Sequence, residues 1–197
     1  MQFPPISVTK LRLKKHCEHC RKVLLHGDRS CSPRVSWIGT GSKEKLIAPS
    51  RFRIWDLSQK YFFLENKTLV AVPKGSNSPE ELLGVVPNRG IKDTNANIFP
   101  IIMGPQDGKR VLSCAGSGGQ PQIKIEEEDI MNLYGKNEPL KNFTFLNHTG
   151  DGQQTCSFES AAFPGWFLST STEPNKPISL SQKGGAEITT FYFEKSK

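Results

Sequence analysis

The densest set of chemistry-bearing side chains in the sequence is His16-Cys17-Glu18-His19-Cys20, with His26 and Cys31 downstream. Thiolate and neutral imidazole are the donors that tetrahedral zinc prefers, so two of each at short spacing raise the question of a metal centre. The spacing fits no standard finger, and the expected reading is a solvent-facing, cysteine-rich leader without metal. Lys10 to Lys15, where basic residues interleave with Leu11 and Leu13, offers the same region a second reading as a nuclear-import or anionic-surface element.

Catalysis needs a nucleophile, a base and an orienting group, or paired carboxylates in a pocket. Beyond the leader there is one histidine, His148, in a Gly- and Asn-rich stretch predicted to be a solvated turn, where it would make a poor general base. Glu126-Glu127-Glu128-Asp129 lacks the alternating ligand order of a calcium loop. Gly116-Ser117-Gly118-Gly119 has neither the following Lys-Thr nor the strand-helix setting of a phosphate loop. Five cysteines with no signal peptide argue against a disulfide framework, so Cys114 and Cys156 are expected as free thiols. Asn66, Asn142 and Asn147 open N-glycosylation sequons but are expected to stay bare as turn or strand-edge residues. No enzyme activity, cofactor or metal is expected.

Such side chains would have to be positioned by short strands. From Phe52 onward, apolar runs recur between turn signals: Phe52 to Trp55, Tyr61 to Leu64, Thr68 to Val72, Leu82 to Val86, Ile98 to Met103, Arg110 to Cys114, Gln122 to Ile125, Phe143 to Leu146, Thr155 to Phe158, Trp166 to Ser169, Ile178 to Leu180 and Ile188 to Phe193. Twelve strands so short and evenly spaced predict a closed or double-layer all-β domain. The most apolar stretch is Phe158 to Leu168, in which Pro164 presets φ and Gly165 supplies a positive φ, so a type II turn should place Phe163 and Trp166 on either side of a reversal. One helix is predicted, over Glu126 to Tyr134, with the carboxylates at its N-terminus and Gly135 at its end.

Charge divides the chain. Residues 1–50 carry ten Lys and Arg against three Asp and Glu (Glu18, Asp28, Glu44), which accounts for the whole net charge of +7. A basic balance suggests nucleic acid or an anionic surface, and here that inference reaches only the leader. Residues 1–47 are read as a weakly ordered basic leader or propeptide and 48–197 as one folded domain, long enough to bury roughly 70% of its extended surface. No run approaches the ~18 apolar residues of a membrane span, and Met1-Gln2-Phe3-Pro4-Pro5 does not open a conventional signal peptide.

The stretch Phe158-Glu159-Ser160-Ala161-Ala162-Phe163-Pro164-Gly165-Trp166-Phe167-Leu168 resembles the signature of the interleukin-1 cytokine family, and Phe191-Tyr192-Phe193 resembles its closing strand. Arg53-Ile54-Trp55-Asp56, Gln59-Lys60, Leu69-Val70-Ala71, Val85-Val86-Pro87 and Leu112-Ser113-Cys114 fall in the same order as in that family. The resemblance implies a β-trefoil, twelve strands in three groups of four, acting as a monomeric ligand of an immunoglobulin-like receptor ectodomain of the interleukin-1 receptor family. It implies no small-molecule substrate and no membrane or nucleic-acid partner. It also implies secretion without a signal peptide beside a cytoplasmic pool.

By the same resemblance Trp55, Gln59 and Tyr192 stand where receptor contacts stand in the family's receptor antagonists, although Trp55 could also be a core residue. Arg89 and Lys92, in the loop Asn88 to Asn97, and Thr190 complete the expected receptor-facing set. Thr190 occupies a position where the antagonist carries Lys and agonists carry Asp, so the sign of signalling stays open. The Trp55, Gln59 and Tyr192 set favours an antagonist. Leu69 to Pro73 and Asp129 to Tyr134 resemble agonists of the interleukin-36 branch, whereas Val86-Pro87-Asn88-Arg89 resembles that branch's antagonist. Ile54-Trp55-Asp56 fits the branch's small-x-Asp pattern, which would put proteolytic processing near Lys45. The alternatives are an interleukin-36-like agonist and a nuclear or nucleic-acid-binding protein acting through its basic leader.

Overall fold

The computed structural model describes residues 48–75, 80–92, 95–116, 120–150 and 154–196. The Cys17, Cys20 and histidine cluster and Lys45 lie outside the described residues. In chain order the elements are β1 (Ser50–Asp56), β2 (Lys60–Glu65), β3 (Thr68–Pro73), β4 (Leu83–Pro87), β5 (Ile98–Pro105), β6 (Val111–Ala115), β7 (Gln122–Glu126), α1 (Ile130–Lys136), a 3-10 turn (Lys141–Phe143), β8 (Thr144–Thr149), β9 (Thr155–Ser160), β10 (Trp166–Ser169), β11 (Lys176–Pro177), β12 (Ser179–Gln182) and β13 (Phe191–Lys195).

Antiparallel pairing runs β1–β4–β5–β8–β9–β13, and β13 returns to β1 through a register from Phe52↔Lys195 to Asp56↔Phe191. The sheet thus closes on itself, leaving these strands without a free edge. Between successive barrel strands lie the hairpins β2–β3, β6–β7 and β10–β12. Each third of the domain is therefore strand, hairpin, strand, and the architecture is a β-trefoil.

The strand beyond the predicted twelve is β11. Its residues pair with the edge of the β2–β3 hairpin as Lys176↔Ala71 and Pro177↔Val70, and they carry no apolar alternation to announce them. A proline is tolerated there because an edge position does not require its missing N–H. At the C-terminus, β13 begins only at Phe191, and Ile188 forms an isolated bridge with Thr170.

The helix differs from the expectation. The acidic run does not form its first turn: Glu126 ends β7, and the helix starts at Ile130. Asp129 is the N-cap, its carboxylate accepting from the Met131 and Asn132 N–H groups at 2.7 and 3.2 Å. Gly135 lies inside the helix, and Asn137 ends it at φ +53°, a left-handed conformation asparagine adopts more readily than most residues. The buried face Ile130, Leu133 and Tyr134 agrees with the predicted spacing and packs on Val86, Ile102 and Val111.

The main core fills the barrel. Phe52, Phe62, Phe145, Phe158 and Phe191 are its largest fully buried side chains. Phe158, from the most apolar stretch, meets Phe193 edge to face at 5.1 Å and Phe191 at 6.0 Å, which ties β9 to the closing strand. Gly165 has φ +85° and the Trp166 N–H donates to the Phe163 carbonyl at 3.1 Å, as the type II turn requires.

Candidate functional site

Strand β1 alternates strictly, with Phe52, Ile54 and Asp56 inward and Arg53 and Trp55 outward. Trp55 is therefore a half-buried surface residue and not part of the core. Its cross-strand partners are Tyr192 on β13 and Tyr61 on β2. The indole stacks on both, with ring centroids 5.3 Å from Tyr192 at 12° and 5.4 Å from Tyr61 at 16°. The Lys74 ammonium lies 5.5 Å from the Tyr61 centroid, lengthening the row to aromatic, aromatic, aromatic, cation.

The β1–β2 turn adjoins this row. Leu57 is 54% exposed, the one exposed large apolar side chain among the described residues. Gln59 is also exposed, held at φ +60° while its N–H donates to the Asp56 carbonyl (3.0 Å) and its carbonyl accepts from the Lys74 N–H (3.1 Å). The fold thus brings Trp55, Gln59 and Tyr192 together and adds Leu57, Tyr61 and Lys74, which the sequence reading missed. Tyr61 was legible only as a strand residue; it is itself buried, and its place against Trp55 follows from the pairing of β2 with β1.

Under the turn lies a buried ion pair. Asp56 is fully buried and Lys60 nearly so, with Lys60 Nζ 3.1 Å from Asp56 Oδ2. The Thr170 hydroxyl donates to the same Oδ2 at 2.6 Å, and Oδ1 accepts from the Ser58 and Lys60 N–H groups, both at 2.9 Å. Ile54 is likewise fully buried, so in the folded domain neither Ile54 nor Asp56 is open to contact by a protease cutting upstream.

The remaining expected contact residues sit elsewhere. The Arg89 guanidinium covers the Tyr134 ring of α1 at 4.9 Å. Asn88 anchors that loop, its Nδ2 donating to Thr144 Oγ1 (2.7 Å) and the Pro139 carbonyl (3.0 Å) while its Oδ1 accepts from the Gly90 N–H (2.8 Å). Lys92 is exposed on the same connection. Thr190 is half-buried at the rim of a depression of about 330 Å³, shared with Asn95, Asn97, His148 and Lys183.

His148 is not in a solvated turn. It belongs to β8, half-buried beside the Phe167 ring at 5.8 Å, with Nε2 2.7 Å from Glu159 Oε2. That is ion-pair distance for a protonated imidazole, but the contact does not have hydrogen-bond geometry. Of the sequons, Asn66 and Asn142 are exposed, whereas Asn147 is buried in β8. Among the described residues no group of three or more His, Cys, Asp and Glu could hold a metal ion.

Cys114 and Cys156 are free and buried. Burial pushes the Cys114 thiol up from 9.0 to about 11, partly offset by a hydrogen bond with Ser160, and burial pushes Cys156 from 9.0 to about 12. Since the thiolate is the nucleophile, peptide mapping should find neither residue alkylated by iodoacetamide at about pH 8 in the folded protein, and both alkylated after denaturation. The folded thiols retain protons that the unfolded chain releases above pH 9.0, so stability should fall as the pH rises from there towards about 12.

Residues 76–193, more than half of the chain, match the family model described as Interleukin-1 / 18. The chain belongs to the interleukin-1 family. The interleukin-1 receptor antagonist protein of Canis lupus familiaris is 40% identical over 176 residues, covering 87% of this chain and 90% of the relative. The interleukin-36 receptor antagonist protein of Homo sapiens is 41% identical over 150 residues, covering 73% and 93%. Among solved structures, chicken interleukin-1 beta aligns with a TM-score of 0.61 at 31% identity over 75% of this chain and 96% of that one. Interleukin-36alpha aligns at 0.63 and 31% identity over 80% of this chain and all of that one. The protein is an interleukin-1 family cytokine, with the trefoil body of its relatives.

Proposed function

We propose that this cytokine is a secreted, monomeric receptor antagonist that binds an immunoglobulin-like ectodomain of the interleukin-1 receptor family, using Trp55, Gln59 and Tyr192 as anchors. The observation that carries the reading is the stacked Tyr61–Trp55–Tyr192 row beside the exposed Leu57–Gln59 turn. Aromatic rings with a polar edge on a rigid strand pair make interface anchors because few rotamers are lost on binding. The two relatives described above support the sign of signalling, since each is named as a receptor antagonist. Arg89, Lys92 and Thr190, set apart from this row, belong to separate contacts with the receptor assembly. Export without a signal peptide, a cytoplasmic pool and removal of the basic leader near Lys45 complete the proposal.

The test is a reporter cell line for each receptor of the family, together with surface plasmon resonance of the full chain on the matching ectodomains. Binding to one ectodomain, no output from the protein alone and a rightward shift of the agonist dose-response are the expected results. Output from the protein alone would reject antagonism in favour of an interleukin-36-like agonist. Binding to no ectodomain, with tight and steeply salt-dependent DNA binding instead, would favour the nucleic-acid reading of the leader.

A further inference from the structure

We infer that Asp56 is a buried positioning residue for the receptor-facing surface: its carboxylate holds the Leu57–Gln59 turn in the shape that a receptor ectodomain meets. The inference deepens the proposed function and rests on it. Asp56 shares the inward parity of Phe52 and Ile54, so the strand delivers a carboxylate to a place where the chain otherwise buries apolar groups. Both of its oxygens are used. One accepts the Ser58 and Lys60 N–H groups, bracketing the turn from within, and the other is fixed by the Thr170 hydroxyl and the Lys60 ammonium.

The turn needs such a hold. Gln59 carries a side chain at φ +60°, a conformation that costs free energy unless the surroundings impose it. Without the carboxylate the Ser58 and Lys60 N–H groups lose their acceptor and the turn can relax away from Trp55. A surface already in its bound shape avoids the ordering cost of association. If only a fraction of molecules keeps that shape, the apparent dissociation constant rises by the inverse of that fraction. Burial also gives Asp56 this role independently of any processing pattern upstream, because a protease acting on the folded chain does not reach it.

The experiment compares the full chain with Asp56→Leu/Lys60→Met, which removes the acceptor and leaves no buried charge unpaired, by backbone amide hydrogen exchange and by surface plasmon resonance on the ectodomains of the interleukin-1 receptor family. Exchange at Ser58 and at position 60 should accelerate at least about tenfold more than exchange at Phe145, which reports the global opening, because the local opening is what the carboxylate restrains. Association should slow about tenfold with little change in dissociation, since the contacts made once bound are the same. If that variant does not fold, Asp56→Ala/Lys60→Met is read at the same amides, and Asp56→Asn/Lys60→Met, whose amide oxygen still accepts both N–H groups, should keep the parental exchange. Unchanged exchange, or faster exchange with unchanged binding, overturns the inference. A wild-type chain that binds no ectodomain overturns the proposed function instead, and faster exchange at the two amides then still supports the hold on the turn.

Discussion

Trp55→Ala is expected to weaken binding to the receptor ectodomain about 30-fold or more, because aromatic anchors at the centre of an interface contribute about 2 kcal/mol or more when truncated. The indole sits between Tyr61 and Tyr192, so its removal takes away contact area and leaves both neighbouring rings without their stacking partner. The side chain is half-buried on the outer face of the barrel, so the loss should fall on binding more than on folding. Titration calorimetry on the ectodomain, with urea unfolding of the same variant, separates the two. Glu127→Gln is the control: its carboxylate pairs with Lys67 on an exposed surface and should leave affinity unchanged. Equal affinity of Trp55→Ala and the parent would remove this face from the interface.

The second large effect is on stability. Lys60→Met should cost about 3–5 kcal/mol, since removing one member of a buried pair leaves the other charge without compensation. Against a typical total of about 5–15 kcal/mol this is a substantial fraction, and it should appear as a lowered urea midpoint with the slope retained. The double variant Asp56→Asn/Lys60→Met should recover most of the loss, because neutral groups of similar volume then occupy the site. Lys60 Nζ has no hydrogen bond of good geometry in the pair, which makes its ammonium an expensive group to bury and the recovery more complete. A single variant as stable as the parent would mean that the hydrogen bonds from Ser58, Lys60 and Thr170 suffice to hold the Asp56 charge.

The strands were legible in the sequence because short apolar runs recur between turn signals, and neither needs a distant partner to be seen. The Pro164-Gly165 turn was legible as well, because its φ requirements are local, whereas whether Trp55 faced the core or the surface was open until β1 stood between β2 and β13. The helix was read too early because four consecutive carboxylates look like a helix start. Only Asp129 acts as one, capping two N–H groups, while Glu126 remains in β7, where the Ser113 hydroxyl donates to it. His148 was read as a loop residue from its Gly and Asn neighbours. Pairing of β8 with β5 and β9 overrode that composition.

The site was legible in part. Family resemblance pointed to Trp55, Gln59 and Tyr192, but nothing near Tyr61 or Lys74 marks them, since their place depends on which strand lies beside β1. Asp56 was singled out by the processing pattern alone, because its burial has no mark in the sequence until a core exists on that side.

By itself the chain specified an all-β body, most of its turns and its family, since these depend on spacing and residue type within a few positions. Closure of β13 onto β1, the stacking of three aromatic rings from three strands, and the burial of a carboxylate against Lys60 and Thr170 were decided by the tertiary structure. Each joins groups separated by long stretches of chain or by a change of strand, and only the packed barrel lowers the dielectric and fixes the distances that give those contacts their energy.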